Sequence, residues 1–217
     1  MAFADRPRKR GERGNALLEF AAVSIVVIPL FFGMVAVGIN LGNMNESVEI
    51  CRDAGHMYAR GIDFSQTANQ DILVQLASAT GMTTTGGNAV VIFSQIMQVY
   101  QADCTNASIS PCTNLSQYVF LNRLVVGNSS LRSSNYGTPP SSYLDSSGNV
   151  SVANYLGQAG DVVTGTLSSE LTTAGLTLSD GDVLYLTEFY YSTPSLSFLA
   201  YGGDTGATAG VYVRAYF

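Results

Sequence analysis

One acidic residue stands at the start of a long apolar run, where a charge is expensive. The stretch RGNALLEF, residues 13–20, places Glu19 directly before FAAVSIVVIPLFFGMVAVGI, which carries no charged side chain. Moving a carboxylate into hydrocarbon costs on the order of 3 kcal/mol even on the most lenient scales. Glu19 therefore either has a partner that offsets this cost or reaches back to the membrane interface, where it is merely tolerated.

The other reactive residue types do not form a catalytic or metal-binding pattern. His56 is the only histidine, so neither a histidine metal cluster nor a triad with a histidine base finds the residues it needs. The glycine-rich stretch 202–210, GGDTGATAG, lacks the Lys-Ser/Thr ending of a phosphate loop and is read as a turn. The residues that could contribute to calcium binding match no complete ligand loop; they are Asp180, Asp182, Asp145 and Asn149. We therefore predict no enzyme activity, no metal and no cofactor.

Three cysteines indicate a chain that works outside the reducing cytoplasm. Cys104 and Cys112 lie in a short polar connection, DCTNASISPC, between two predicted strands. They are expected to close a small loop as a disulfide on the oxidising side of a membrane. Cys51 lies on a helical apolar stripe and is predicted to be a buried free thiol.

The charges are segregated along the chain. Residues 1–14 hold five basic and two acidic side chains, whereas residues after 42 hold five arginines and thirteen acids. An acidic body argues against nucleic-acid binding. A basic segment before an apolar run is typical of a cytoplasmic flank, which would leave residues after about 42 outside the membrane.

The apolar run, residues 20–39, is predicted to be a transmembrane helix. As a helix it spans about 30 Å, the thickness of the hydrocarbon core. A buried core helix is the first alternative. A secretory signal peptide fits less well, because the run exceeds the usual length and no small-residue cleavage site follows it. Pro29 is expected to bend the helix.

Beyond the membrane we predict helices first and strands afterwards. An apolar stripe with helical spacing continues the first helix; its members are Met44, Val48, Cys51, Gly55, Tyr58 and Ile62. A second helix is expected over 67–80, with Ile72, Leu73 and Leu76 inward and Gly81 as its stop. Runs rich in β-branched and aromatic residues predict strands at 89–100, 118–126, 183–191 and 211–217. The polar stretch 127–150 is interpreted as a long loop, functional or disordered.

The predicted fold class is α+β, with a long N-terminal membrane helix that continues into an amphipathic half and packs on an antiparallel sheet. We divide the chain into a basic cytoplasmic leader (1–14), a transmembrane helix (15–42), a helical region (43–82) and a β-rich head (83–217).

The opening stretch resembles the processing site of type IV pilins, in which a short basic leader ends in Gly and a Glu follows five positions later. Gly14, Asn15, Glu19 and Phe20 stand at the matching positions. The block at 11–42, with its central Pro29, is similar to the start of TadE-like proteins, the pseudopilins or minor pilins of tight-adherence (Tad/Flp) pili. The asparagines Asn40 and Asn43 depart from that pattern, so the choice between a TadE and a TadF type stays open.

The resemblance implies cleavage after Gly14 by a prepilin peptidase, which makes Asn15 the new N-terminus. The new amine would then lie one helical turn from Glu19. In such filaments the acid pairs with the amine of a neighbouring subunit, which offsets the desolvation of both charges. The implied partners are the peptidase, other pilin subunits, the assembly platform and the lipid bilayer.

The leading hypothesis is therefore a minor pilin or pseudopilin in a bacterial inner membrane, acting in pilus assembly or initiation and through it in adhesion. The rival is a single-pass anchored sensor or binding domain whose head holds a ligand. An exported enzyme is the third reading, and the absence of a catalytic motif disfavours it.

Overall fold

The computed structural model describes residues 12–192 and 210–217, and it has the α+β architecture expected from the sequence. The described residues form four helices, four strands and four short 3-10 turns, three of which lie between β2 and α4. The helices are α1 (Glu12–Ala59), α2 (Thr67–Leu76), α3 (Gln101–Asn106) and α4 (Leu167–Thr173), and the strands are β1 (Ala89–Gln98), β2 (Tyr118–Gly127), β3 (Val183–Ser192) and β4 (Gly210–Tyr216). The strands form one antiparallel sheet in the order β2-β1-β3-β4.

Helix α1 is one unbroken helix of 48 residues that includes Pro29. At 1.5 Å per residue it is about 72 Å long, more than twice the thickness of a membrane core. Its first half is exposed and apolar, and by length and composition the helix can cross a membrane. Its second half packs on the sheet of the head. The helix therefore has an exposed apolar half and a half that is part of the head.

The buried face of α1 is rotated slightly from the predicted stripe. Cys51 and Tyr58 are buried as expected, but Met44 is 50% exposed, and Ile50 and Ala54 are buried instead. The prediction for Met44 is wrong because the head begins to cover the helix only near Ser47. Below that level the stripe has no neighbour within the described chain to pack against.

Helix α2 is shorter than its predicted span. It ends at Leu76, and a 3-10 turn, Ser78–Thr80, leads into Gly81, which adopts the left-handed conformation expected of a stop (φ +68°). Leu73 is fully buried, whereas Ile72, predicted to face inward, is 50% exposed. Ala77 occupies the inner position one turn after Leu73, so the buried side of the helix is narrower than its apolar residues indicate.

All four predicted strands are present, and every end lies within two residues of its predicted position. β1 stops at Gln98 rather than at residue 100 because the chain turns there into α3. The backbone N–H of Tyr100 donates to Asp103 Oδ2 at 2.7 Å, which caps the start of that helix. The alternation predicted for β4 places Val213 and Ala215 in the core beneath α1.

The sheet buries apolar side chains on both faces. Against α1 and α2 it packs the larger core, which contains Phe64, Phe93 and Phe189. Its other face is covered by the segment between β2 and β3, which contributes Tyr136 and α4. The stretch 127–150 is therefore not a loose loop: the side chain of Tyr136 is fully buried.

Candidate functional site

The predicted processing site lies within the first turns of α1. The helix begins at Glu12, so positions 14 and 15 belong to it, and position 19 lies one turn beyond position 15. Glu19 is exposed, and Phe20 is 74% exposed. The basic leader up to residue 11 lies outside the described residues. Glu19 thus stands on an uncovered helix surface, within helical reach of the position that cleavage would turn into an amine.

The apolar half of α1 carries a shallow groove along one side. Its floor includes Gly33 and Gly38, and a side chain added at either glycine would meet no atom within 4 Å. Pro29 and Leu41 bound the groove, which is open along its length. The hydroxyl of Ser24 donates to the carbonyl of Phe20 at 2.7 Å and so needs no external partner. This surface offers shape and apolar contact to a neighbour.

In the head, a buried ion pair joins two strands that are not adjacent. Arg123 on β2 and Glu188 on β3 lie on either side of β1 and are 4% and 1% exposed. Arg123 Nη1 is 3.6 Å from Glu188 Oε2 and donates to Ser94 Oγ on β1 at 2.6 Å. Burial lowers the pKa of Arg123 to about 10, although the Glu188 carboxylate favours its charged form. The pair ties together three strands.

The same ion pair anchors the connection that crosses the outer face of the sheet. Arg123 Nη2 donates to the carbonyl of Gly137, and Glu188 Oε1 accepts from the backbone N–H of Asn135 at 3.0 Å. Ser134 and Tyr212 add their hydroxyls to the Glu188 carboxylate. Among the described residues only Arg123 Nε of this pair has no hydrogen-bond partner, and a buried charge pair of this kind fixes geometry more than it adds stability. Its role here is to hold residues 134–137 against the sheet.

A second carboxylate, Glu170 on α4, gathers hydroxyl groups at the margin of the sheet. Tyr136 and Tyr216 both donate to Glu170 Oε2, at 2.6 and 2.5 Å, and Arg214 Nη1 lies 2.9 Å from Oε1. Partial burial alone would raise the pKa of Glu170, but hydrogen bonds from Thr166 and the two tyrosines lower it. These contacts join α4 to Tyr136 and to β4, so the cluster holds α4 in place.

The cysteines lie where the sequence places them. Cys104 and Cys112 form a disulfide with Cα atoms 5.9 Å apart, and it closes the loop that follows α3. Cys51 is buried and makes no disulfide; its sulfur lies 3.4 Å from the carbonyl oxygen of Thr187. Burial raises the pKa of this thiol to about 12, which leaves almost no reactive thiolate at neutral pH.

The remaining candidates for chemistry do not converge. His56 is exposed on α1, and its ring centroid lies 4.4 Å from that of Phe217, with the ring planes tilted by 57°. The Asp145 carboxylate accepts the backbone N–H groups of Ser147 and Asn149, which uses it to shape a turn. Across the described residues, no group of three or more His, Cys, Asp or Glu side chains could hold a metal. The glycine-rich stretch 202–210 lies outside the described residues apart from Gly210, which begins β4.

A polar cleft of about 240 Å³ opens where α1 ends, between Tyr58, Gly61 and Asn122. The hydroxyl of Tyr58 donates to Asn122 Oδ1 at 2.8 Å, and Asn122 Nδ2 donates to the carbonyl of Ser147 and to Asn149 Oδ1. The polar groups at its centre therefore have partners within the protein. These hydrogen bonds connect the end of α1 to β2 and to the turn at 147–149.

Sequence reasoning missed the Arg123–Glu188 pair, although it left a signal. Each residue is the single charge in the centre of a largely apolar strand, YVFLNRLVV and VLYLTEFYY. A charge at such a position needs a buried partner, and each strand holds the complement of the other.

The comparisons with known proteins add no relative: no family model, curated protein or solved structure matches the chain.

Proposed function

We propose that this chain is a membrane-anchored pseudopilin or minor pilin of a tight-adherence pilus, processed by a prepilin peptidase after Gly14. In this proposal the leader lies in the cytoplasm, α1 crosses the bacterial inner membrane and the head lies outside. The protein then acts in assembly or initiation of the pilus, and adhesion is the downstream process.

A single observation carries the proposal: α1 is one continuous helix with two different surroundings. Its first half exposes apolar side chains on all sides, and its second half is a structural part of the head core. A filament subunit needs this combination, because the bare half must exchange lipid for neighbouring helices while the head stays folded. The groove at Gly33 and Gly38 offers a surface on which an apolar helix could approach closely.

Glu19 has a defined task in this proposal. Cleavage after Gly14 creates an amine on Asn15, and the Glu19 carboxylate of one subunit pairs with the amine of the next. In an apolar surrounding, two unpaired charges are each costly, so a subunit in the wrong axial register is penalised. The exposure of Glu19 on α1 leaves it accessible to such a partner.

Intact-mass analysis of the membrane-bound protein tests the processing step. In cells with an active prepilin peptidase, the chain is expected to begin at Asn15, and a Gly14→Ala variant is expected to keep its leader. A chain that begins at Met1 in those cells contradicts the proposal and favours the rival, a single-pass anchored binding or sensor domain.

Assembly is tested separately with Glu19→Ala. This variant is expected to insert and to be processed, but to be lost from assembled pili. Glu49→Ala is the matched control, because Glu49 is an exposed acid on the same helix beyond the membrane-spanning half. Equal piliation with both variants would show that Glu19 has no role in assembly.

A further inference from the structure

The two edge strands of the sheet differ in how many of their outward backbone groups are hydrogen-bonded. The outer edge of β2 is occupied along its length by other parts of the chain. Arg123 N–H donates to the Gly148 carbonyl at 2.8 Å, Val150 and Val163 donate to β2 carbonyls, and Gly127 N–H donates to Thr84. β4, at the opposite edge, pairs only with β3 within the described chain. An open strand edge is a template for another strand.

The alternation of hydrogen bonds between β3 and β4 shows which backbone groups of β4 do not pair with β3. Tyr185 and Phe217 exchange both backbone hydrogen bonds, at 3.0 and 2.9 Å. Hydrogen-bonded pairs alternate along an antiparallel ladder, so Val213 and Ala215 also point their backbone groups toward β3. The N–H and C=O groups of Tyr212, Arg214 and Tyr216 therefore point away from the sheet.

This edge is held rigid from both faces. On one face, the Phe217 ring lies against α1, where a side chain added at Gly55 would come within 2.1 Å of it. On the other face, the hydroxyl of Tyr212 donates to Glu188 and that of Tyr216 donates to Glu170. A strand that is fixed in this way loses little further entropy when a partner strand binds.

Arginines are concentrated beside β4, where Glu170 and Glu188 also lie, although the head as a whole is acidic. Residues after 42 hold thirteen acids and five arginines, of which Arg123 is buried. Three of the other four lie beside β4. Arg214 is on the strand and pairs with Glu170, whose Oε1 lies 2.9 Å from its Nη1. Arg132 lies 4.2 Å above the Tyr212 ring, and Arg52 is exposed one helical turn before His56, whose ring contacts that of Phe217.

From these observations we propose that the open edge of β4 binds an extended acidic segment of another exported protein, which adds a fifth strand to the sheet. Backbone hydrogen bonds to Tyr212, Arg214 and Tyr216 supply the pairing, and the arginines select for acidic side chains. A second copy of this chain is not the antiparallel partner within one bilayer, because two β4 strands paired in that way would point the two α1 helices in opposite directions. This inference does not depend on the pilus function.

The test uses the full chain in detergent micelles and two synthetic probes, the capped peptides (Val-Glu)4 and (Val-Lys)4. Binding is measured by fluorescence anisotropy, and the site is located by amide hydrogen exchange. The acidic peptide is expected to bind at least tenfold more tightly than the basic one and to protect the amides of Tyr212, Arg214 and Tyr216. Equal binding of the two peptides, or protection elsewhere, would overturn the proposal.

Two variants at one position separate backbone pairing from charge. Arg214→Pro removes an outward N–H without removing a bond to β3, a substitution that edge strands accept. It is expected to weaken binding of (Val-Glu)4 at least tenfold. Arg214→Gln keeps the N–H and is expected to weaken it about threefold, as for an exposed ion pair. Equal losses in the two variants would refute pairing through the strand edge.

A third probe tests backbone pairing on the unaltered protein, so the result does not depend on correct folding of Arg214→Pro. A (Val-Glu)4 peptide that is N-methylated at alternate residues cannot donate along one edge, and it is applied to the unaltered protein. It is expected to bind at least tenfold more weakly than its parent. Equal affinity would overturn the proposal, as would a dimer in which β4 amides are already protected and (Val-Glu)4 does not compete.

Discussion

Among the described residues the carboxyl group of Asp161 is buried without a hydrogen-bond partner, and we expect this to make the stability of the head depend on pH. Its side chain is fully buried in the turn Ala159–Asp161, and neither carboxylate oxygen has a partner among the described residues. The next residues attach this turn to the start of β2, where the N–H of Val163 donates to the carbonyl of Tyr118 at 2.8 Å. Asp161→Asn is the informative change, because it removes the charge and keeps the shape.

The sign and size of the effect follow from the shift in pKa. Burial raises the pKa of Asp161 from 3.8 to about 7. Between these values the folded protein holds a proton that the unfolded chain has released, so the free energy of unfolding decreases as pH rises through this window. One pKa unit corresponds to about 1.36 kcal/mol, so the full decrease is about 4 kcal/mol. Below pH 3.8 the buried, protonated carboxyl group contributes its full stabilisation, and above pH 7 this stabilisation has been lost.

Urea unfolding in detergent micelles, at several pH values from 3.5 to 8, measures this difference directly. Relative to the unaltered protein, Asp161→Asn is expected to gain stability steadily between about pH 4 and 7 and to keep a constant difference above. Asp180→Asn is the matched control, since Asp180 is exposed and near the same end of the sheet. Subtracting the curves removes contributions from other groups, including Glu170, whose lowered pKa acts in the opposite direction.

Two parallel curves would refute this reasoning. They would mean that the carboxyl of Asp161 has the same proton affinity in the folded and unfolded chain, and hence that it meets water or a cation in the folded head. The control has its own diagnostic outcome: a similar gain in Asp180→Asn would assign the pH dependence to general acidic repulsion rather than to one buried group.

Two further predictions concern packing inside the head. Glu188→Ala leaves the Arg123 guanidinium buried without its counter-charge and is expected to lower the free energy of unfolding by about 3–5 kcal/mol in urea titrations; a loss below 1 kcal/mol would contradict a buried pair. Gly55→Ala places a methyl group against the Phe217 ring and is expected to cost about 1–3 kcal/mol in the same assay. Gly42→Ala, on open helix surface, is its control, and equal effects would refute the tight contact.

The parts of the fold that could be predicted are those with a repeated pattern. The alternation in β4 and the β-branched runs of the other strands located all four strands, and the uninterrupted apolar run located α1. Patterns of this kind indicate which side of a helix or strand is buried, but not how far along it the neighbouring elements extend. For that reason the prediction that Met44 and Ile72 face the core is wrong, since both are half exposed.

What could not be predicted depends on contacts between distant residues. α3 and α4 are only 6 and 7 residues long, too short to show a helical period. The ordering of 127–150 depends on Arg123 and Glu188, which hold the backbone at residues 135 and 137. For the candidate site the sequence supplied the positions of Gly14 and Glu19, whereas the open edge of β4 required the strand order.

The burial of Cys51 has a consequence for how the chain matures. The Cys51 sulfur contacts the carbonyl of Thr187, which lies 136 residues later in the chain. Cys104 and Cys112 are separated by only 8 residues. The short loop can close early, so for a time one odd thiol coexists with a finished disulfide and can attack it. Docking of α1 on β3 ends this exchange, because the thiol is then inaccessible and hardly ionised. Packing of the helix on the sheet thus shields the Cys104–Cys112 disulfide from exchange with Cys51.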